Sequence, residues 1–361
     1  MIKKLKSLAL NLLAGANVVT VLLMLATGYI DHLHPDSVPL LCCAGMIFPF
    51  FVLANLVFIP IWVVFSWKRL LIPVIGYALA YPPIRVFMPL HGHGEPPEGA
   101  LRVVSYNVCT FGGNYKYEHA FDTVFTYLKA QQADIVCLQE DQHAPFSDYE
   151  RYYPYNDTTL VSVARTNGYN CIGMHTRFPI LKKERIDYPS KTNGSVAYFL
   201  LIDGDTVVVV NNHLESSHLN KNDRNRYEEM LKGGMERDTV TAETAVLISK
   251  LSEAMKVRAG QADSVACYVE RHRQYPIILC GDFNDAPLSY TRRRIASTLS
   301  DCYVATGRGP GLSYNRRGFN FRIDHIMCSD HFTPYECEID SKMDASDHYP
   351  LLCWLKMREK P

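Results

Sequence analysis

The 361-residue sequence has no Cys-x-x-Cys pair among its eleven cysteines. That excludes a zinc-ribbon scaffold, and an odd cysteine count without regular spacing gives no disulfide framework. Cys137, Cys280 and Cys353 interrupt apolar runs, where a free thiol serves as a small buried hydrophobe. There is no glycine-rich nucleotide loop, no internal repeat and no long low-complexity segment. Net charge is also missing, with 37 Lys/Arg against 37 Asp/Glu.

That zero conceals a split. Residues 1–90 hold Lys3, Lys4, Lys6, Lys68, Arg69 and Arg85 against only Asp31 and Asp36, which leaves 31 basic and 35 acidic residues for 91–361. The front is apolar and slightly basic; the rest has the texture of a water-soluble domain and is mildly acidic. Mild acidity argues against a long positive groove for nonspecific nucleic-acid binding. A bound divalent cation and local arginines can still reverse the field near a site.

Residues 1–90 read as a membrane region of three helices, at about 8–30, 40–65 and 70–90. The first two runs carry no charge and are long enough for a hydrocarbon core of ~30 Å. The third is the weakest, since it contains Pro73, Pro82, Pro83 and Arg85. Basic residues flank the N-terminus and the second loop, whereas 31–39 has none, so the positive-inside rule puts the N-terminus in the cytoplasm. Three spans put everything after residue 90 outside the cytoplasm; two leave it inside. Residues 91–99, with His91 and His93 among Gly and Pro, read as a linker.

From Leu101 strands alternate with amphipathic helices. Leu101–Tyr106 is a strand ending at Asn107, and Asp134–Gln139 one ending at Glu140. Tyr117–Lys129 is helical. Thr206–Asn211 runs into Asn212-His213. Tyr275–Cys280 is a buried strand closed by Gly281-Asp282-Phe283-Asn284-Asp285, where the glycine permits a sharp turn. If extended geometry persists that far, Asp282 and Asn284 share a face. Arg322–Cys328 carries Asp324, and Ser346-Asp347-His348 precedes a last strand. Residues 219–272 are polar and helix-prone, and the long stretch Glu215–Arg258 reads first as solvated helix, with a lid or rim as the alternative. Arg292–Arg294, Arg308, Arg316 and Arg317 form a loose basic set, read equally as a solvated surface or as a grip for a second phosphate.

Asp and Asn after strands are ordinary turn formers. Several polar groups at strand ends of one domain supply more: hard oxygen donors for Mg²⁺ or Mn²⁺ at Asn107, Glu140 and Asp347, and proton handling at His213 and His348. Asp324 can orient a histidine through its second ring nitrogen.

The ordered segments Ser105-Tyr106-Asn107-Val108, Ile135–Glu140, Asn212-His213-Leu214, Gly281–Asn284, Arg322-Ile323-Asp324 and Ser346-Asp347-His348 resemble the motifs of the endonuclease/exonuclease/phosphatase superfamily over about residues 100–357. The membrane-anchored layout resembles that of bacterial, mostly Bacteroidetes, members. The resemblance implies an α/β (α+β) fold: a four-layer αββα sandwich of two mainly antiparallel sheets over 100–361, preceded by the transmembrane helices. It implies a metal set of Asn107, Glu140 and Asp347, and catalytic groups His213, Asp282, Asn284, Asp324 and His348. In that scheme His348, held by Asp324, is the general base, Asp282 and Asn284 align the nucleophile and bind phosphate, and His213 contacts the phosphate or assists the leaving group. Thr176 in Gly173–Ile180 takes the place of the family's serine.

The expected protein is a multi-pass protein of a bacterial inner membrane, with the lipid bilayer and a phosphoester substrate as partners and no obligate protein partner. Its expected activity is metal-dependent, nuclease-like hydrolysis of phosphodiester bonds. Lipid head groups, of phospholipid, sphingolipid or phosphoinositide, are the alternative substrate. A catalytically silent binding module is the alternative from another class.

Overall fold

The computed structural model describes all residues except 1, 113–119, 143–148, 165–167, 191, 218, 220, 234–236, 317–318 and 360–361. Arg317 therefore lies outside the described residues, as do parts of the loops at 143–158, 215–240 and 304–320.

After four N-terminal helices of two or more turns come β1 (Leu101–Asn107), β2 (Ile135–Gln139), β3 (Tyr155–Ala164), β4 (Gly168–Thr176), β5 (Ile180–Ile186), β6 (Gly194–Ile202) and β7 (Asp205–His213). They are followed by β8 (Ile277–Asp282), β9 (Ser300–Asp301), β10 (Tyr314–Arg316), β11 (Phe319–Phe321), β12 (Asp324–Cys328), β13 (Phe332–Ile339) and β14 (Leu351–Met357). One six-stranded sheet has the order β13-β14-β1-β2-β4-β3, the other β5-β6-β7-β8-β12-β9. Both are mixed: β1/β2 and β7/β8 are parallel and the other pairs antiparallel.

Strand alternation sorts the core into three layers. Val103, Ile278 and Cys280 point between the sheets. Their neighbours Ile277 and Leu279 face Ala262, Val265 and Val269 of the helix Arg237–Arg271. Val104 and Tyr106 face Val124 and Leu128 of the helix Ala120–Gln131. The result is helix, sheet, sheet, helix. All eleven cysteines are unbridged, and ten are buried.

The N-terminal region has two helices long and apolar enough to cross a membrane, Lys3–Gly28 and Pro39–Phe65. They share a buried polar knot in which Asn17 donates to Asn55 at 2.9 Å and Trp62 donates to Asn17 at 2.8 Å. Where one continuous third helix is expected, Trp67–Leu79 and Tyr81–Phe87 are bent by 58°. Pro82 and Pro83 open the second piece, where proline fits a helix start and cannot continue the one before.

The N-terminal region packs on the sandwich. His34 stands 3.6 Å from Asp263 and edge-on to Tyr290, and Asp31 stands 3.9 Å from Arg293. A Cβ on Gly45 would lie 2.6 Å from the carbonyl oxygen of Leu288. Buried Arg322 donates to the carbonyls of Val86, Phe87 and Pro310, and stacks on Tyr303. In the linker the ring of His91 bonds the carbonyl of Val304 at 3.0 Å, which commits that nitrogen to backbone.

Candidate active site

Parallel pairing carries the C-terminal ends of β1 and β2, and of β7 and β8, to one edge. Antiparallel β12 and β14 begin at that same edge: Asp324 is opposite Asp282, and Ser105 opposite Leu351. Every expected site residue is therefore gathered at one end of the sandwich, including Asp324, which opens its strand rather than ending it.

Gly281 does not turn the chain. It lies inside β8 with φ +137°, and a Cβ there would meet the carbonyl oxygen of Asn212 at 2.0 Å. The reversal comes three residues later, where Asn284 is left-handed at φ 53°. Extended geometry thus fails to persist to Asn284. Its side chain is instead brought back to Asp282, donating to Oδ2 at 3.3 Å and to the Leu214 carbonyl at 2.9 Å. Glu140 (φ 56°) and the turn Cys109-Thr110-Phe111 (φ 47°, 54° and 53°) are left-handed as well. Such strain persists only where the surroundings hold it, and here it clusters around the candidate site.

Asp282, 1% exposed, is the hub. Its Oδ2 accepts from Asn107 at 3.1 Å and lies 3.7 Å from Nε2 of both His213 and His348. Asn107 also reaches Glu140 at 3.4 Å. His348 Nδ1 pairs with Asp324 at 2.8 Å, and its ring meets Tyr314 edge-on. Asp347 accepts from Arg316 at 3.3 Å, and Ser346 donates to the Asn107 carbonyl at 2.7 Å, which ties the start of β14 to the end of β1.

Burial raises Asp282 to about 7 even though nearby His348 opposes the shift. Burial pulls His348 down, but Asp324 and Asp282 outweigh it and push it up to about 10. Burial, helped by His348, lowers His213 to about 3, so its ring is neutral. Burial raises Glu140, and repulsion from Asp347 adds to it. Asp347 is lowered because His348 and Arg316 outweigh its burial.

Sequence reasoning missed two contributors and held a third, the rim, only as the alternative reading. Asn170 on β4 donates to His213 Nδ1 at 3.1 Å, which leaves the proton of the neutral ring on Nε2, facing Asp282. Arg258, 1% exposed, donates to Asp285 at 3.2 Å and to the Glu215 carbonyl at 3.0 Å, and so pins the long helix to the loop after Asn284. That helix forms a rim: Leu247, Ile248, Leu251 and Met255 line a cavity of about 880 Å³ over the site. Neither Asn170 nor Arg258 has a local signature, since each depends on pairing across the fold; the rim's apolar spacing is local, but what it covers is not. The described members of the basic set disperse. Arg292 pairs with Asp301 and Arg294 with Asp263, while Arg316 pairs with Asp347 at the site. Thr176, in the place of the family's serine, donates to the Asp134 carbonyl at 2.9 Å and accepts from the Phe178 N–H at 3.2 Å.

Two mixed sheets face to face, with carboxylates, carboxamides and two histidines at one edge, define a phosphodiesterase- or nuclease-like fold. The endonuclease/exonuclease/phosphatase family model matches residues 104–348, and the chain belongs to that family, whose members hydrolyse phosphoester bonds. A model described as a domain of unknown function matches residues 10–87. The human Nocturnin catalytic domain is similar in fold, with TM-score 0.53, 18% identity, and 73% of this chain and 97% of that one covered. Humanized D. rerio TDP2 gives 0.52 and 17%, covering 72% and 99%. An endonuclease/exonuclease/phosphatase from Beutenbergia cavernae gives 0.51 and 18%, covering 72% of each chain. No curated protein matches the chain.

Proposed function

We propose that the chain is a membrane-anchored hydrolase of phosphodiester bonds assisted by Mg²⁺ or Mn²⁺. The observation that carries this reading is the convergence of Asp282 with the Nε2 atoms of two histidines, 3.7 Å from each, beside Glu140 and Asn107.

Glu140 and Asp347 would hold the cation, with Asn107 in support. The two carboxylates fit as hard oxygen donors, and the raised Glu140 beside Asp347 marks crowded negative charge that a cation would compensate. Asn107 turns its NH2 to Glu140 and gives its oxygen to the Cys109 N–H at 3.0 Å, so it steadies the ligand Glu140. When bound, a divalent ion polarises a phosphoryl oxygen and offsets charge on the departing oxygen. Asp282, anchored by Asn107 and Asn284, orients the attacking water and takes its proton. His348, charged beside Asp324, donates to a phosphoryl oxygen from Nε2. His213 donates from Nε2 on the other side of Asp282, and Asn284 supports the phosphate. This division moves the general base from His348, where the family resemblance puts it, to Asp282.

Three membrane crossings, with the catalytic domain on the face opposite the N-terminus, complete the proposal. Contacts of 31–45 with Asp263, Leu288, Tyr290 and Arg293 support it, because they require the first loop and the sandwich to share a side. Only a third crossing, by the bent pair Trp67–Phe87, then gives the right parity. The charge distribution around Lys3–Lys6 and Lys68-Arg69 agrees.

Purified full-length protein incubated with bis(4-nitrophenyl) phosphate tests the chemistry. Turnover with Mg²⁺ or Mn²⁺, abolished by chelator and reduced at least roughly a hundredfold in Glu140→Gln, is expected. Equal rates in chelator, or in Glu140→Gln, would sink it.

A further inference from the structure

The cavity above the site has two chemistries. Its floor is polar: Asn107, Glu140, His213, Asp282, Asn284 and His348. Its far wall is apolar and comes from two places remote in sequence. Cys43, Met46 and Ile47 belong to the start of the second apolar stretch, Pro39–Phe65, just before its long helix Phe48–Phe65. Leu247, Ile248, Leu251 and Met255, at helical spacing, form one face of Arg237–Arg271. The two halves touch: Cys43 Sγ lies 3.8 Å from Met255 Sδ and 4.0 Å from the Ile248 carbonyl.

Two features choose the occupant. Among the described lining residues the only Lys or Arg is Arg258, which is buried and already bonded to Asp285, and Arg316 beside the site is paired with Asp347. A polyanion needs a basic track along its phosphates; this cavity offers one phosphate site and a hydrocarbon-lined chamber. Two residues of its wall, Leu40 and Ile47, are also 62% and 51% exposed, and both belong to Pro39–Phe65, a stretch long and apolar enough to cross a membrane. Its volume, about 880 Å³, is near the upper end of small-molecule pockets, which run roughly 300–1,000 Å³.

Resting on the phosphodiesterase reading of the site, we propose that the substrate is a membrane lipid phosphodiester. Its phosphate lies on Asp282, His213 and His348, and its hydrocarbon chain lies between the 43–47 segment and the 247–255 helix face. Hydrolysis adds one water: the hydroxyl joins phosphorus, the P–O bond to one side breaks, and the water's proton ends on the departing oxygen. The membrane region is then part of the binding site as well as an anchor.

The test compares two probes, methyl 4-nitrophenyl phosphate and hexadecyl 4-nitrophenyl phosphate, on the full-length protein in maltoside micelles, whose head groups carry no phosphate. Wild type is expected to favour the hexadecyl probe in kcat/KM by at least roughly tenfold. Leu251→Trp on the helix face and Ile47→Trp on the exposed segment, both of which shrink the chamber from separate elements, should each lower the hexadecyl-to-methyl ratio about tenfold. Because the readout is a ratio, partial loss of folded protein does not imitate the effect. A ratio near one in wild type, or a ratio unmoved in both variants, overturns the tail site while leaving metal-dependent hydrolysis standing. Absence of turnover on either probe with either metal overturns the phosphodiesterase reading and this one with it.

Discussion

Nδ1 of His348 lies 2.8 Å from Oδ2 of Asp324, and the opposite ring nitrogen lies 3.7 Å from Asp282. The imidazole is thus held between two carboxylates, each of which favours its charged form. Asp324 holds one edge of the ring, and Asp282 faces the other.

Replacing Asp324 with Asn keeps the shape but removes the charge that holds the His348 proton. The expected result is a fall of roughly 10²–10⁴ in kcat with KM little changed, alongside an unchanged far-UV spectrum. His348 should also titrate at lower pH in the variant, which NMR of its ring protons would read. A loss confined to KM would mean that His348 serves ground-state binding instead.

Legibility in the sequence followed locality. Asn107, Glu140, His213, Asp282 and Asp347 stand at or beside strand ends, so apolar runs flanked by polar residues found them, and the parallel and antiparallel pairings carry them to one edge. The conformation at Gly281 and Asn284 was misread because a positive φ leaves no mark in hydrophobic patterning: the glycine admits close approach of Asn212, and the asparagine makes the turn. Asn170, Arg258 and the apolar face at 247–255 act through contacts 43, 27 and more than 200 residues away in sequence. Periodicity records which face of a helix is apolar, not which segment will cover it.

Asn170 offers a narrow test of the site's proton arrangement. His213 is neutral, so its tautomer matters, and the Asn170 amide selects Nε2–H. Asn170→Ala should lower kcat about tenfold, and ring nitrogen chemical shifts should show Nδ1–H becoming populated. Unaltered shifts together with an unaltered rate would remove Asn170 from the mechanism.

Gly281→Ala should be far costlier than an ordinary surface substitution. The added methyl would have to fit 2.0 Å from the Asn212 carbonyl oxygen, at a φ of +137°. Backbone strain and overpacking together are expected to cost about 3 kcal/mol or more. Denaturant melts would read this directly, and a midpoint equal to the parent's would contradict it.

Stability in acid should depend on Asp301, away from the candidate site. Burial alone would raise its carboxyl, but Arg292, bonded at 2.9 Å, and His325 outweigh it and hold it well below the usual range. A depressed folded-state value means that the stabilisation is complete above the unfolded value of ~3.9 and is lost as pH falls below it. Asp301→Asn leaves Arg292 buried without its counter-charge, at a cost of about 3 kcal/mol near neutrality. The gap in melting temperature between parent and variant should be widest above pH ~4 and shrink below it. A gap independent of pH would show that packing, not charge, stabilises this corner.

Cys267 is a natural reporter of topology, being the one exposed cysteine, while the other ten are buried. It lies on the helix Arg237–Arg271, whose Asp263 stands 3.6 Å from His34 of the first loop, so its side of the membrane is that of the loop. Three crossings require this side to be opposite Lys3, Lys4 and Lys6. A membrane-impermeant maleimide should therefore label Cys267 in right-side-out vesicles and spare it in inverted ones. In a Cys267→Ser background, Ser7→Cys should give the reverse pattern. Labelling of Cys267 from the same face as Ser7→Cys would reduce the crossings to two. The Asp31–Arg293 and His34–Asp263 pairs would then have to be broken, since no segment can span the bilayer between the first loop and the sandwich while those residues touch.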